Sequence, residues 1–315
     1  MSSDECILKL LYNLVRDDYA KNLLSLSLKI GDYVEPPELN KLLNYAYKNK
    51  VILFLMEQGP EYLRETKLYK RLIVQRQNFL NTLIRVVSAL SDEGIEFVVF
   101  KTLRPVPDTP VDIDILVGNR ENLILSLKAL RKLFKVEVWK VDFYSIGLRL
   151  NDRNEFVDLY LQPHVSNFTY FDSQYILRDP RYIKVDGFQV PLPRPEAEAL
   201  TIIAHAVIKE FLVTLNDIIS TIFLLNQSCY KEFENLSQKS FLLPAVNVFF
   251  KGVVTSDRFP CKVDFHSLIK SLLSRVLTLG TLKSTPLFLW TQFTSKSLKF
   301  IKHYRRETYV RGLGR

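Results

Sequence analysis

Three aspartates are spaced so that they could bind divalent metal ions. Asp112 and Asp114 stand two apart in a segment whose alternating apolar residues predict a β-strand. Residues two apart in a strand project from the same face, so we expect these carboxylates on one side, about 7 Å apart along the strand. Asp158 occupies a second predicted strand, Glu155–Leu161. If the two strands are neighbours, the three carboxylates form one cluster.

Such a cluster suits phosphoryl-transfer chemistry. Carboxylate oxygens bind Mg²⁺ at about 2.1 Å and leave positions open for phosphate oxygens. A pair of ions can activate an attacking oxygen and stabilise a leaving phosphate in an in-line displacement. The alternative interpretation is a pair of aspartates on an edge strand that face water.

The elements around the aspartates predict an α+β fold, a small mixed sheet flanked by helical regions. Residues 1–92 have apolar residues at helical spacing, as in Ile7, Leu10, Leu11 and Leu14. Residues 93–193 contain short alternating segments, and residues 194–315 return to a helical period. We expect these three ranges to be separate regions. The predicted strands are Phe97–Phe100, Val111–Val117, Val136–Val141, Tyr144–Leu150, Glu155–Leu161 and Phe188–Leu192.

These segments resemble the DNA polymerase β-type nucleotidyltransferase superfamily. The similarity rests on Phe100-Lys101-Thr102, on Asp112-Ile113-Asp114-Ile115-Leu116-Val117 and on Val157-Asp158-Leu159, within about residues 95–162. It is closest to a branch whose first strand ends in a Leu-Lys-Gly-like motif ahead of Asp-Ile-Asp-Leu-Leu-Val. Members of the superfamily transfer a nucleoside monophosphate from a triphosphate to a hydroxyl. They use two magnesium ions held by three carboxylates.

The resemblance implies a role for each matching residue. Asp112 and Asp114 match the metal-binding pair. Asp158 matches the third carboxylate, which binds one metal and can accept the proton of the attacking hydroxyl. Lys101 matches the basic residue at the end of the first strand. The implied cofactor is Mg²⁺ or Mn²⁺, the implied substrate is an NTP, and the implied fold is a nucleotidyltransferase core.

A later helix carries further residues that resemble the pattern of this branch. Many members have a His-rich, Lys-containing segment there, and His205, Lys209 and Asp217 hold similar positions. His205 and Lys209 are four apart, so we expect them on one face of an α-helix. The alternative for His205 is a hydrogen-bonded histidine packed between helices.

The loop after the first strand departs from the superfamily pattern. The usual Gly-Ser or Gly-Gly, whose N–H groups and hydroxyl hold the triphosphate, is replaced by Lys101-Thr102, and three prolines follow. Threonine cannot give the close backbone approach of glycine, and each proline removes an N–H donor. If a triphosphate binds, the side chains of Lys101, Thr102 and Arg104 should supply the contacts. The alternative for Arg104 is a solvated loop charge.

The formal charge of +9 is concentrated near the C-terminus. Residues 1–240 contain 30 basic and 31 acidic residues, whereas residues 241–315 contain 13 and 3. Basic residues at helical spacing, interleaved with aromatic ones, predict a surface that binds RNA. These basic residues are Lys296, Lys299, Lys302, Arg305 and Arg306. A solvated helix and an interfacial membrane helix are the alternatives.

Other sequence features indicate a cytoplasmic protein. The start lacks the basic and apolar segments of a signal peptide. No apolar run approaches the 18 or more residues that span a bilayer, so we expect no membrane span. The three cysteines are far apart and lack zinc-site spacing, which favours reduced thiols. The oligomeric state is left open.

The leading hypothesis is a magnesium-dependent nucleotidyltransferase that moves an NMP from an NTP to a hydroxyl of RNA or another macromolecule. A catalytically idle module of the same fold, which binds RNA or protein, is the first alternative, and the altered Lys101-Thr102 loop motivates it. A nucleotidyltransferase that acts on a small molecule is the second alternative.

Overall fold

The chain combines a mixed β-sheet with helices, so the predicted α+β class is confirmed. The structure is a computed structural model that describes residues 16–22, 39–59, 61–150, 155–165 and 168–263. Within these ranges, no helix combines the length and apolar character needed to cross a membrane. Several predicted residues lie outside the described ranges: Ile7, Leu10, Leu11, Leu14, Lys296, Lys299, Lys302, Arg305 and Arg306.

The described α-helices are numbered in chain order. They are α1 (Leu39–Lys48), α2 (Ile52–Gln58), α3 (Tyr62–Glu65), α4 (Lys67–Asp92), α5 (Arg120–Leu133), α6 (Ser173–Leu177), α7 (Pro195–Ala204), α8 (Leu215–Gln227), α9 (Tyr230–Lys239) and α10 (Leu243–Thr255). A π-helix, His205–Glu210, continues α7. Local sequence fixes two of these ends. Asn119 caps α5 by accepting a 2.8 Å hydrogen bond from Asn122 N, and Gly94 follows α4 with a φ of 66°.

The described strands agree closely with the predicted ones. They are β1 (Val98–Val99), β2 (Asp112–Leu116), β3 (Val136–Val141), β4 (Ser145–Leu150), β5 (Glu155–Tyr160), β6 (His164–Val165), β7 (Phe168–Thr169), β8 (Arg181–Val185), β9 (Phe188–Leu192), β10 (Leu212–Val213) and β11 (Cys261–Lys262). The prediction missed the two-residue strands β6, β7, β10 and β11, and it also missed β8, which pairs with β9 in an antiparallel hairpin. The Asp186-Gly187 dipeptide between them is a strong hairpin signal that could have revealed it.

The central sheet places β2 beside β5. Its strand order is β1-β2-β5-β4-β3, with β2 and β5 parallel and the other neighbours antiparallel. Parallel neighbouring strands need a crossover connection. The connection from β2 to β5 contains α5, β3 and β4. Because strand side chains alternate, Ile113 and Val157 point to one face of the sheet, where they pack in a core with α4 and α5. Each aliphatic side chain buried there contributes about 1.5–3 kcal/mol to stability. The same alternation turns Asp112, Asp114 and Asp158 to the opposite face.

A second apolar core lies on the side of the aspartates. It joins α1 and α2 to the helices from α7 onward and includes Phe100, Leu116 and Tyr160 from the sheet. The ends of β1, β2 and β5 are therefore covered beside the carboxylates. The predicted boundaries at 92/93 and 193/194 stay predictions, although both cores draw on more than one of the three predicted regions.

Candidate metal centre

The three predicted aspartates meet on one face of the central sheet. In the register of β2 and β5, Asp114 lies directly opposite Asp158, and Asp112 lies opposite Phe156. One carboxylate oxygen from each of the three aspartates lies within 4.8 Å of the other two. Asp114 is buried, whereas Asp112 and Asp158 are partly exposed. The predicted meeting of two carboxylate-bearing strands is confirmed.

The chemistry around Asp158 suits a hard divalent cation. Its Oδ1 atom is buried and accepts no hydrogen bond from any described residue. Its Oδ2 atom accepts a 3.3 Å hydrogen bond from the Tyr160 hydroxyl. A buried carboxylate oxygen is costly unless a donor or a cation meets it. Carboxylate oxygens are the ligands that Mg²⁺ and Mn²⁺ favour, so the three aspartates fit such an ion.

Repulsion and burial both raise carboxyl pKa values in the cluster. The charge of Asp114 and then burial raise the pKa of Asp112 to about 6. Burial and then the charge of Asp114 raise the pKa of Asp158. The positive charges of Lys101 and Lys209 act in the opposite direction at both aspartates. The cluster therefore carries excess negative charge that a bound cation would relieve.

Lys101 lies inside the cluster. Its Nζ atom is 3.1 Å from Asp114 Oδ1, and both side chains are more than nine-tenths buried. The contact is an ion pair and not a hydrogen bond, because no described donor reaches this oxygen with hydrogen-bond geometry. The rings of Phe100 and Tyr160 have their centroids 4.5 and 4.6 Å from Nζ. Cation–π attraction therefore adds to the ion pair.

The backbone after β1 holds both Lys101 and Thr102 against β2. Lys101 has a φ of 65°, in the left-handed region that favours glycine. It thus adopts a conformation typical of glycine while it keeps a charged side chain. Thr102 Oγ1 accepts a 2.8 Å hydrogen bond from Asp114 N, and Phe100 N donates to Asp114 O across 3.1 Å. The Thr102 hydroxyl is therefore engaged with the strand that carries the aspartates.

Arg104 turns toward the first turn of α8. Its Nη1 atom lies 2.5 Å from Asp217 Oδ1 and 3.2 Å from Asn216 Oδ1, and its side chain is only 6% exposed. The alternative interpretation of a solvated loop charge is therefore wrong. Burial by itself would raise the pKa of Asp217, but the charges of Arg104 and Lys50, together with hydrogen bonds from Arg104 and Thr214, outweigh it, and the pKa is lowered. The role of Arg104 in phosphate binding stays a prediction, and it would require this pair to open.

A buried polar network anchors that ion pair. Asp217 forms a capping box with Thr214 at the start of α8. Asn216 Nδ2 donates to Lys50 O across 2.8 Å, and Asn216 N donates to Asn49 O across 3.2 Å. The loop after β1 is thus tied to the helices that precede the sheet and to those that follow it.

His205 and Lys209 lie on a π-helix, so the predicted α-helical spacing is wrong at this point. A π-helix bonds residues five apart, and His205 Nε2 lies 3.8 Å from Glu210 Oε1. This contact is not an ion pair at neutral pH, because burial first and then the charge of Lys209 lower the pKa of His205 well below 6.5. The His205 side chain is 16% exposed, and the alternative of a hydrogen-bonded histidine packed between helices stays a prediction. Lys209 acts electrostatically on both Asp112 and Asp158.

Sequence reasoning missed Gly147, which lies beside Asp158. The two residues are direct partners in β4 and β5. A Cβ atom at position 147 would stand 2.7 Å from Trp139 Nε1 and 3.0 Å from Asp158 Oδ1. The absence of a side chain therefore leaves room for both groups. A hairpin signal was present in the sequence: the polar segment 151–154 separates the predicted strands Tyr144–Leu150 and Glu155–Leu161, and pairing of these strands as a hairpin would place residue 147 opposite residue 158.

Comparisons of the chain with models of protein families, with curated proteins and with solved structures give no match. The geometry of the described residues is therefore the support for the site. It brings together Asp112, Asp114, Asp158, Lys101 and Thr102, adds the charge of Lys209, and directs Arg104 to α8.

Proposed function

We propose that the chain is a magnesium-dependent nucleotidyltransferase that moves an NMP from an NTP to a hydroxyl of RNA or another macromolecular acceptor. The single observation that carries this proposal is the cluster of Asp112, Asp114 and Asp158, with one ligand oxygen of each within 4.8 Å of the others. The sequence resemblance supports the same reaction. Three carboxylates on neighbouring strands are a common way to hold metal ions for phosphoryl transfer.

Each side chain of the site has a defined task in this proposal. Asp112, Asp114 and Asp158 hold the metal, which when bound neutralises phosphate charge and activates the attacking hydroxyl. As the sequence resemblance implies, the Asp158 carboxylate accepts the proton of that hydroxyl as the hydroxyl oxygen bonds to the α-phosphorus and pyrophosphate leaves. Lys209 binds a phosphate oxygen, since its charge already acts on the carboxylate cluster.

The remaining predicted contacts complete the proposed substrate site. His205, Thr102 and Arg104 belong to the NTP side, where Arg104 would have to leave Asp217. RNA would bind the basic segment that contains Lys296, Lys299, Lys302, Arg305 and Arg306. This part of the proposal rests on charge and aromatic spacing in the sequence.

The test is transfer of label from α-labelled NTPs to an acceptor. The full chain is incubated with Mg²⁺, each NTP and either total RNA or total protein, and the label is then assigned by nuclease and protease digestion. Label in a nuclease-sensitive product supports an RNA acceptor, and label in a protease-sensitive product supports a protein acceptor. Asp112→Asn and Asp114→Asn should each lower transfer by at least about 100-fold, as expected for lost transition-state stabilisation of roughly 3 kcal/mol.

Asp179→Asn is the matched control for these variants. Asp179 is exposed, pairs with Arg178 and has a φ of 49°, which asparagine tolerates. The control should transfer label like the wild type. Equal transfer by Asp112→Asn and the wild type would reject the proposed reaction.

A catalytically idle module that binds RNA or protein is the second candidate. The ion pair between Lys101 and Asp114 favours it, because the lysine charge competes with a metal for the same carboxylate. Calorimetry separates the two functions. Saturable binding of Mg-NTP that is lost in Asp112→Asn argues for the enzyme, whereas RNA binding without any NTP binding argues for the idle module.

A further inference from the structure

We infer that Lys101 supplies one of the positive charges of the carboxylate cluster, so that this site binds one divalent ion instead of two. The inference rests on the proposed metal centre, but it concerns the number of ions and not the reaction. It starts from the position of a single ammonium group, Lys101 Nζ, 3.1 Å from Asp114 Oδ1.

Asp114 is the central carboxylate of the three. It is two residues from Asp112 on the same strand and directly opposite Asp158 on the neighbouring strand. Two ions in such a site lie about 3.5–4 Å apart, so they would have to share the carboxylate between the outer two. Lys101 faces one of the two oxygens of that central group. A second ion at this oxygen would meet the ammonium charge at close range.

The surroundings of Lys101 keep its ammonium group in this place. The side chain is only 5% exposed, and the rings of Phe100 and Tyr160 lie within cation–π distance of Nζ. The residues on both sides of Lys101 are hydrogen-bonded to Asp114: Phe100 N donates to Asp114 O, and the Thr102 hydroxyl Oγ1 accepts from Asp114 N. Lys101 is therefore part of the framework of the site and not a surface lysine that happens to reach it.

Charge balance leads to the same number. Three ionised carboxylates carry three negative charges, and Lys101 compensates one of them at ion-pair distance. The two charges that remain match a single divalent ion. Lys209 also opposes the carboxylates, but its influence on Asp112 is smaller than that of Lys101.

The primary test counts metal ions on the full wild-type chain. Mn²⁺ is titrated without nucleotide, and free Mn²⁺ is followed by electron paramagnetic resonance up to millimolar concentration. We expect one bound ion per chain, lost in Asp114→Asn. This measurement needs no lysine variant, so it does not depend on how such a variant folds.

Two variants then ask whether Lys101 occupies the place of the second ion. Lys101→Gly suits the observed φ of 65° and removes the ammonium group, and Lys101→Met removes the charge but keeps a similar length. Both should bind two ions per chain. Lys140→Met is the matched control, because it removes an exposed lysine of the same sheet that pairs with Asp142. It should keep one ion.

The outcomes separate the inference from the function on which it rests. One ion in the wild type and two in Lys101→Gly establish it. Two ions in the wild type, or one ion in both proteins, overturn it while the proposed metal centre stands. No bound ion in the wild type overturns both. Circular dichroism of Lys101→Gly shows that its stoichiometry is that of a folded chain.

Discussion

Arg104 and Asp217 form a buried ion pair that joins the loop after β1 to the first turn of α8, with Nη1 and Oδ1 only 2.5 Å apart. The same loop contains Lys101 and Thr102, so the Arg104–Asp217 ion pair helps to position these two residues beside the carboxylate cluster. A buried pair contributes less net stability than its short distance suggests, but removing one partner leaves an uncompensated charge.

We therefore expect Arg104→Met to lower the free energy of unfolding by about 3–5 kcal/mol. Urea denaturation would measure the loss. The double variant Arg104→Met/Asp217→Asn should recover part of it, because no buried charge then lacks its partner. If Arg104→Met instead keeps wild-type stability and only weakens NTP binding, Arg104 is a phosphate ligand and the structural role is incorrect.

Asp17 should be a second strong contributor to stability. Its buried carboxylate accepts hydrogen bonds from the Tyr45 hydroxyl and from Phe259 N, both at 2.8 Å, and from Tyr19 N at 2.9 Å. Asp17→Ala leaves these donors without their acceptor, at about 1–3 kcal/mol for each buried donor. Thermal denaturation should show a loss of several kcal/mol, whereas the exposed neighbour Asp18→Ala should change stability by less than about 0.5 kcal/mol. Similar melting temperatures for the two variants would contradict the prediction.

Asp108 should make stability depend on pH. Burial raises the pKa of Asp108 from 3.8 to about 6, despite the opposing charge of Arg104. The folded chain thus binds this proton more tightly than the unfolded chain, so the stabilising contribution is present below about pH 4 and is lost as the pH rises through 6. Asp108→Asn, which cannot ionise, should gain stability relative to the wild type as the pH rises from 4 to 7.

The Asp108 prediction is checked by the unfolding free energy of Asp108→Asn minus that of the wild type, measured at each pH. Asp179→Asn serves as the control, because it removes an exposed aspartate from the same chain. A difference for Asp108→Asn that is flat or falls from pH 4 to 7 would count against the raised pKa.

Gly147→Ala should weaken metal binding without unfolding the sheet. The new Cβ would stand 2.7 Å from Nε1 of the exposed Trp139 and 3.0 Å from Asp158 Oδ1, so the indole would have to move aside and the carboxylate would have to shift by a few tenths of an ångström. Changes next to metal ligands typically reduce affinity by about 10–100-fold, and we expect the lower end of that range. Gly187→Ala is a comparison variant with open space around it, although its φ of 88° adds strain. Unchanged Mn²⁺ affinity in Gly147→Ala would show that Asp158 does not hold the ion.

Local patterns were enough to predict the five strands of the central sheet and the shared face of Asp112 and Asp114, but not the meeting of these two aspartates with Asp158. Asp112 and Asp114 share a face because strand side chains alternate, and Asp158 joins them once β5 is placed beside β2. The resemblance supplied that placement as an expectation. Hairpin and capping signals were equally local, which is why β4 and the cap at Asn119 were predictable.

Long-range partners could not be predicted in the same way. The pairing of Arg104 with Asp217 joins residues 113 apart, and no periodicity encodes it. The π-helix at His205 inserts one residue into a helical turn, which the apolar pattern does not reveal. The left-handed backbone conformation at Lys101 could not be predicted either, because glycine is the usual sequence signal for that conformation and position 101 is a lysine.

The carboxylate cluster is built from residues far apart in the sequence, so ligand binding at this site should stabilise the folded chain. Asp114 and Asp158 are neighbours only when β2 and β5 are paired in register, so the unfolded chain has no comparable site. An ion that binds only the folded state adds about 2.7 kcal/mol of stability at 100 times its dissociation constant. A melting-temperature screen over divalent ions, with and without each NTP, would therefore rank cofactors and nucleotides before any acceptor is identified.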